Sequence, residues 1–530
     1  MKRFFTYKKY IFKFMVLYLL TLCITVINPY VSGRFIDAIT YSNTLETVYN
    51  LAILYSFLLV TEVVFGYFLK INIIELKSNI SFDFKREVIK HYHGMELLIA
   101  EKYEAGYIYS RINQDIDFLV VFVLDNLVSM ISNAGIIIAA LVFLFCTNVK
   151  IFVCSLLFIP IYLLLYFYMK KEYFRRNKDF KEKSNFFLSS LLEQFVRVRE
   201  FKIMADEKRV IKELEGKYSN YLLGIISFFS FSERFKSIDG VISVFFQIAT
   251  MIISAVEIHN GAMSIGGFVV INSYFSFLLS ALKYYGDLGK NFQEAKVSKM
   301  RIDEIMNENI EHDGKKLIEE IENITLQELS YSYRNMNVIE GISIAFVKGK
   351  SYAIVGGNGM GKSTLANILI GLYPHYEGRI EYNGIELADI NKCDIRKNHC
   401  SYMQQNSKPP NITICEFLEF SLEGFNYGML EDALEEYKLD SLFGQGFDIR
   451  QCMGIKCSEL SGGQWQKVQL LCIIMKKKEL IVLDEPTSSW DEKGKKVFNE
   501  MIQLLKRKKI LLVITHDEMI AQSCDYIIRW

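Results

Sequence analysis

Along the first 290 positions the apolar residues come in long runs rather than in strict alternation. Six runs reach the length of about 20 residues that a helix needs to cross roughly 30 Å of hydrocarbon. They centre near Leu19, Leu59, Ile138, Leu157, Ile248 and Phe275. Only the short turn from Cys146 to Lys150 separates the third run from the fourth, so the pattern predicts a helical hairpin there. The first run is too long for a signal-peptide core and lacks a small-residue cleavage site, so it is expected to stay as a permanent span. Two stretches between runs, roughly 71–125 and 171–238, are polar, helix-forming and nearly free of Pro and Gly. Their helices should therefore continue well beyond the bilayer. After about Met306 a charged segment, NENIEHDGKKLIEEIEN, gives way to short β-type runs alternating with helical ones. That alternation predicts an α/β domain. The expected division is a six-helix membrane domain at 1–306, a linker at 307–320 and the α/β domain at 321–530.

Charge orients this plan, because loops on the cytosolic side of membrane helices retain Lys and Arg. The amino end carries Lys2, Arg3, Lys8, Lys9 and Lys13, and the segment after the second span carries Lys70, Lys77, Lys85, Arg86 and Lys90. The segment after the fourth carries Lys170, Lys171, Arg175 and Arg176, whereas 38–48 and 257–264 carry none. Both termini and the α/β domain are thus expected in the cytoplasm. Across the chain 61 Lys and Arg face 60 Asp and Glu, so the global basic excess of a nucleic-acid binder is missing and no nucleic acid is expected as partner. With 51% hydrophobic residues, disorder is excluded. The ten cysteines form no CxxC pair and no zinc-type spacing, which reads as reduced thiols. Glu62 stands inside the second span, where a carboxylate either meets a cationic solute or pairs with a neighbouring helix. His91 and His93 read as helix surface.

The chemistry concentrates in the second part. SYAIVGGNGMGKSTLANILIGL, from Ser351 to Leu372, is an apolar strand, then Gly356-x-x-x-x-Gly361-Lys362-Ser363, then a helical pattern. Such a loop turns successive backbone N–H groups and a helix N-terminus toward phosphate, Lys362 adds a point charge, and Ser363 offers a hydroxyl to Mg²⁺. In KKKELIVLDEP a buried strand ends in Asp484 and Glu485. Asp484 would hold Mg²⁺ through its water shell while Glu485 polarises the attacking water as general base. His516 in LLVITHDE ends another apolar run and could lie beside the same phosphate. Ser461-Gly462-Gly463-Gln464 opens a second helix with an anion-binding start. One nucleotide in one domain does not need two such starts, so this end is expected to cap the ATP held by another copy. The fold class is accordingly multi-domain, an all-α six-helix transmembrane domain followed by an α/β P-loop nucleotide-binding domain.

These residues together resemble the ATP-binding cassette (ABC) transporter family, in particular the half-transporters of the type I exporter class, over nearly all 530 residues. GGNGMGKST resembles Walker A, which implies ATP contacts from Asn358, Gly359 and Thr364 beside Gly356, Gly361, Lys362 and Ser363. LIVLDE resembles Walker B, LSGGQ the signature motif, ITHD the switch-histidine segment, and SSWD a D-loop placing Asp491 at the dimer seam. Gln405, rather than adjacent Gln404, matches the Q-loop glutamine that links Mg²⁺ and water to the membrane helices. Tyr333 is similar to the aromatic that stacks on adenine. In the membrane part Asn28-Pro29 through Gly33 to Ile36-Asp37, Gly106 to Arg111 with Asp115, Glu193 to Glu207, and Ala295 to Ile305 resemble exporter segments. Short coupling helices are implied near 98–108 and 203–212, the second crossing to the partner chain.

Three positions depart from the family pattern. Gly454-Ile455-Lys456 with Cys457 replaces a Gly-Glu and a later Gly before the signature. Trp490 replaces a D-loop Leu, a bulky change at the seam. Trp530 closes the sequence as the last residue of DYIIRW, so a final helical dimer contact is expected to be missing or clipped. The resemblance implies Mg-ATP-driven efflux by alternating access in a dimer, homodimeric or heterodimeric, in a bacterial cell (inner) membrane surrounded by lipid. The favoured cargo is a bacteriocin-like peptide, with multidrug or lipid export as the alternative, and an ATP-gated channel or regulatory membrane protein as the alternative of another class.

Overall fold

The chain is seen in a computed structural model that describes residues 8–42, 44–333, 336–357, 359–443 and 447–530. It divides into two compact units, Met1–Tyr92 with Glu104–Asn307, and His93–Tyr103 with Glu308–Trp530.

The first unit is helical: α1 (Lys8–Tyr41), α2 (Leu45–His93), then, after α3 (Leu97–Ala100) of the second unit, α4 (Ala105–Ser110), α5 (Ile116–Thr147), α6 (Val149–Val196), α7 (Val198–Met204), α8 (Glu207–His259) and α9 (Ile265–Met306). Six candidate membrane spans occur among the described residues, with the third running through α4, a π-turn at Arg111–Asp115 and α5. Their helical stretches run to 53 residues, far beyond the length a bilayer requires, so the polar stretches do continue the apolar ones. The predicted hairpin forms at Asn148, whose side chain caps α6 by accepting from Lys150 N at 2.9 Å. Glu257 of α8 binds this corner, accepting from Lys150 Nζ at 2.7 Å and Asn148 Nδ2 at 3.0 Å.

Helices α1 and α9 meet through small residues. A Cβ at Gly33 would overlap Val270, and one at Gly266 would overlap the Gly33 carbonyl, so two glycines set the close approach. Asp37 of α1 then caps α9, accepting from Gly266 N and from the Ser264 hydroxyl at 2.7 Å each. The exporter-like Gly33 to Asp37 segment is in this fold a helix-to-helix fastening. Buried Asp115 is a second one: it accepts from Arg111 at 2.8 Å and from Ser298 of α9 at 2.6 Å. Glu62 pairs with the neighbouring helix, accepting from Thr25 Oγ1 at 2.8 Å and Asn28 Nδ2 at 2.5 Å. His91 and His93 end α2. The second short helix, α7 at Val198–Met204, lies ahead of the expected 203–212, because Asp206 caps the following turn and commits residues from Glu207 onward to α8.

The second unit carries two sheets. An antiparallel sheet has the order β2-β1-β4-β5, built from β1 (Asn323–Tyr333), β2 (Met336–Val347), β4 (Glu377–Tyr382) and β5 (Ile385–Glu386). A parallel sheet has the order β6-β7-β8-β3-β9, with β3 (Lys350–Val355), β6 (Cys400–Met403), β7 (Leu480–Asp484), β8 (Ile510–Ile514) and β9 (Tyr526–Arg529). Strands β7 and β8 are buried along their whole length, as continuous apolar runs in a covered parallel sheet should be. Around them pack α10 (Lys362–Leu369), α11 (Lys392–Asp394), α12 (Ile414–Ser421), α13 (Tyr427–Glu436), α14 (Ile449–Cys452), α15 (Gly462–Met475), α16 (Glu492–Leu505) and α17 (Glu518–Gln522). The α3 segment joins this unit through the Met95–Ile310 bridge and through His375, whose Nε2 lies 3.1 Å from Glu96 Oε2. Where one short helix is expected near 98–108, the chain forms two, α3 at Leu97–Ala100 and α4 at Ala105–Ser110. All ten cysteines are free.

Candidate functional site

In a parallel sheet the strand ends that share an edge bring their following loops together. The register pairs Ile354 and Asp484 each with Ile514, and Leu483 with Met403. The loops after β3, β7, β8 and β6 therefore open on one edge, and they carry the phosphate-loop residues, Glu485, His516 and Gln405 respectively.

The phosphate loop leaves β3 at Gly356 and enters α10 at Lys362. Gly359 has φ +80° and Gly361 φ +89°, left-handed values that a Cβ resists. Gly361 has a second reason: a Cβ there would come within 2.6 Å of Val338. Lys362 is buried and donates to the Gly356 and Gly357 carbonyls at 2.9 and 2.7 Å. Its ammonium thus stands at the mouth of the loop, on the anion's side of α10. Thr364 follows in the first turn of α10, and Asn358 lies outside the described residues.

Asp484 is 2% exposed. Burial pushes its carboxyl above the usual aspartate range, while hydrogen bonds from Ser363 and Tyr402 and the Lys362 charge work in the opposite direction. Ser363 and Asp484 therefore converge as hard oxygen donors, a set suited to Mg²⁺ arriving with phosphate oxygens rather than to an all-protein cage. No group of three or more His, Cys, Asp or Glu stands ready for a metal among the described residues. Glu485 is 6% exposed and takes φ +51°, a conformation costing a non-glycine residue of order 1 kcal/mol. Its N–H donates to Ile514 O at 2.9 Å, and its Oε2 lies 2.7 Å from His516 Nδ1. A carboxylate held in strained backbone against an imidazole is placed for proton transfer at one point. Beside His516, Lys495 Nζ binds Asp517 at 2.6 Å and lowers its carboxyl below the usual range.

The other expected residues sit on neighbouring loops and helix ends. Ser461 caps α15 and closes a capping box with Gln464, whose N–H donates to the Ser461 hydroxyl at 3.3 Å. That helix start packs on the D-loop: a Cβ at Gly463 would be 2.9 Å from Ser489 O, and Gln466 donates to the Ser488 hydroxyl at 2.9 Å. Gly462 and Ser461 stay exposed. Asp491 caps α16 through Gly494 N at 2.9 Å. Trp490 turns inward, 8% exposed against Phe498, so its bulk fills this chain's own core. Cys457 is fully buried in the same core. Gln404 and Gln405 are exposed after β6, and Tyr333 ends β1 at 39% exposure. Sequence reasoning missed Tyr402. Its only signal was a polar aromatic in the strand three residues before Gln405.

The family description "ABC transporter transmembrane region" matches residues 11–282, and "ABC transporter" matches residues 339–488. The chain belongs to the ABC transporter family. As a member it is an integral membrane protein that binds ATP and couples ATP hydrolysis to transport, with the half-transporter fold that dimerises. The transporter is 24% identical over 524 residues to the transport/processing ATP-binding protein ComA of Streptococcus pneumoniae, covering 96% of this chain and 72% of that one. It is 26% identical over 526 residues to the lactococcin-G-processing and transport ATP-binding protein LagD of Lactococcus lactis, covering 95% and 72%. Against the ATP-dependent lipid A-core flippase of Photobacterium profundum the identity is 22% over 460 residues, covering 86% and 78%. In fold the transporter superposes on a bacterial Atm1-family ABC exporter with ATP bound at TM-score 0.84 and 17% identity, covering 99% of this chain and 94% of that one.

Proposed function

We propose that the transporter exports a peptide from the bacterial cytosol, as a dimer of identical chains, with both termini and the nucleotide-binding domain of residues 321–530 in the cytoplasm. The observation that carries the ATPase part is the gathering of the Gly356–Ser363 loop, Asp484, Glu485 and His516 on one sheet edge. The near full-length likeness to ComA and LagD supports the peptide. Glu485 polarises the attacking water, and His516, 2.7 Å away, holds that carboxylate in place. Lys362 and the α10 N-terminus bind the phosphates, with Gly356, Asn358, Gly359, Gly361 and Thr364 as further ATP-binding residues. Tyr333 stacks on adenine. Ser363, Asp484 and Gln405 hold Mg²⁺, which when bound supplies positive charge to the phosphate oxygens. Ser461 to Gln464 and Asp491 close over the nucleotide of the partner chain. The exposure of Ser461, Gly462 and Asp491 supports that assignment, as does the presence of every motif in a single chain. Differential ATP affinity for the closed state then drives the cavity between its inward and outward forms.

The test is transport into proteoliposomes with the nucleotide-binding domains outward. Mg-ATP should accumulate a labelled bacteriocin-like peptide against its gradient, and Glu485→Gln should stop it. Movement of a labelled lipid but not of peptide would transfer the reading to a flippase, for which the Photobacterium likeness is the supporting observation. Equal peptide flux with and without hydrolysis would make the protein an ATP-gated channel.

A further inference from the structure

The membrane unit holds a group of charges that the nucleotide chemistry does not use. It lies where α6, α8 and α9 meet, at the end of their apolar runs: Asp239 stands just before 241–256 on α8, and Lys283 just after 265–282 on α9. Asp239 is 8% exposed, and its Oδ2 receives Lys283 Nζ at 2.9 Å. The other carboxylate oxygen, Oδ1, has no hydrogen-bond partner. One helical turn on, Ser243 is equally buried, and its hydroxyl has none either. Tyr162 of α6, buried, is within electrostatic reach of both Asp239 and exposed Asp287. Gly289 of α9 makes room for a neighbouring phenol: a Cβ there would lie 2.8 Å from the Tyr166 hydroxyl.

A clasp between α8 and α9 accounts for the Asp239–Lys283 pair. It does not account for a buried carboxylate oxygen and, one helical turn on, a buried hydroxyl that both lack a partner, since burying an unpaired polar group is costly. Both atoms can accept, exposed Asp287 adds a second negative charge, and the buried Tyr162 phenol lies within electrostatic reach of both carboxylates. A group that only donates, carries positive charge and ends an alkyl stem meets all three conditions, which describes a primary ammonium. The chain's own side chains already show that chemistry here, with Lys283 on Asp239 and Lys170 Nζ 5.8 Å from the Tyr166 ring centroid.

We infer that Asp239 and Ser243, with exposed Asp287 and buried Tyr162 beside them, form a docking site for a lysine side chain of the cargo, so that the transported peptide is cationic. This rests on the peptide-export reading and sharpens it. Cargo ammonium competes with Lys283 for Asp239, and the site stands at the cytosolic end of the spans, where cargo would arrive.

The full chain in nanodiscs of neutral lipid, without nucleotide, is titrated by fluorescence anisotropy with a labelled lysine-rich amphipathic peptide. The same peptide with every lysine acetylated serves as comparison. The wild-type chain should bind the lysine form roughly tenfold tighter or more. Asp239→Asn should abolish that preference, whereas Lys283→Gln, by removing the competing ammonium, should tighten binding of the lysine form severalfold. Opposite shifts from two partners in one ion pair cannot come from misfolding. Equal binding of the two peptides by the wild type, or both variants shifting the same way or not at all, overturns the inference and leaves peptide export standing. A wild-type chain that binds neither peptide and moves none in proteoliposomes overturns both.

Discussion

Glu485 sits in left-handed backbone with its carboxylate 2.7 Å from His516, so its position is fixed before substrate arrives. Replacing it by Gln keeps shape and hydrogen bonding but removes the base. ATP binding should survive, while turnover falls by on the order of 10²–10⁴-fold; single-turnover phosphate release measures both. Tyr402 tests a subtler point. Its hydroxyl favours the Asp484 carboxylate, opposing the burial that raises that group. Tyr402→Phe removes this help, so protonation should begin at higher pH and the acid limb of the ATPase kcat/KM profile should move upward. A merely structural loss would lower activity at every pH without moving the limb. The loop glycines, Lys362, Asp484 and Glu485 were legible in the sequence because their chemistry demands fixed spacing at strand ends. Tyr402 and the inward turn of Trp490 were not, because each depends on what a strand or loop packs against, and spacing carries no record of that.

At the scale of elements, the six apolar runs and the short Cys146–Lys150 turn were enough to give the helices and one hairpin. Length and hydropathy alone set those. The place of α7 was not readable, since it depends on Asp206 capping Arg209 N at 3.2 Å, a local choice between neighbouring polar residues. Nor did the pattern show that Gly33 and Asp37 hold α1 to α9. That fastening combines a close approach with a cap, and its loss can be measured. Asp37→Ala should destabilise the α9 start by about 1–2 kcal/mol and lower the thermal unfolding midpoint of the chain in nanodiscs. Asp37→Asn, which still offers an acceptor to Gly266 N, should recover part of the loss.

For the whole molecule, the decisive feature is that Ser461 and Lys362 belong to different groups within one chain. Ser461 is exposed and caps α15 by accepting from Gln464 N, while Lys362 is folded onto its own loop. A symmetric pair of chains can complete both sites by each lending its Ser461 end to the other's Lys362. Two inactive variants then rescue each other. Lys362→Ala alone and Ser461→Arg alone should each abolish ATP turnover, because every dimer would carry the defect in both sites. Co-reconstituted, half of the randomly formed dimers pair one variant with the other. In these the intact Lys362 of the Ser461→Arg chain meets the intact Ser461 of the Lys362→Ala chain, and both lesions fall together in the opposite site. If the sites act independently, ATPase activity should return to about a quarter of the wild-type level. Complete coupling between the two sites would hold the mixture at zero turnover, yet trapping with a non-hydrolysable nucleotide would still show one nucleotide retained per mixed dimer. A site built within one chain predicts neither signal, so the mixture separates intersubunit from intrasubunit closure even where hydrolysis is cooperative.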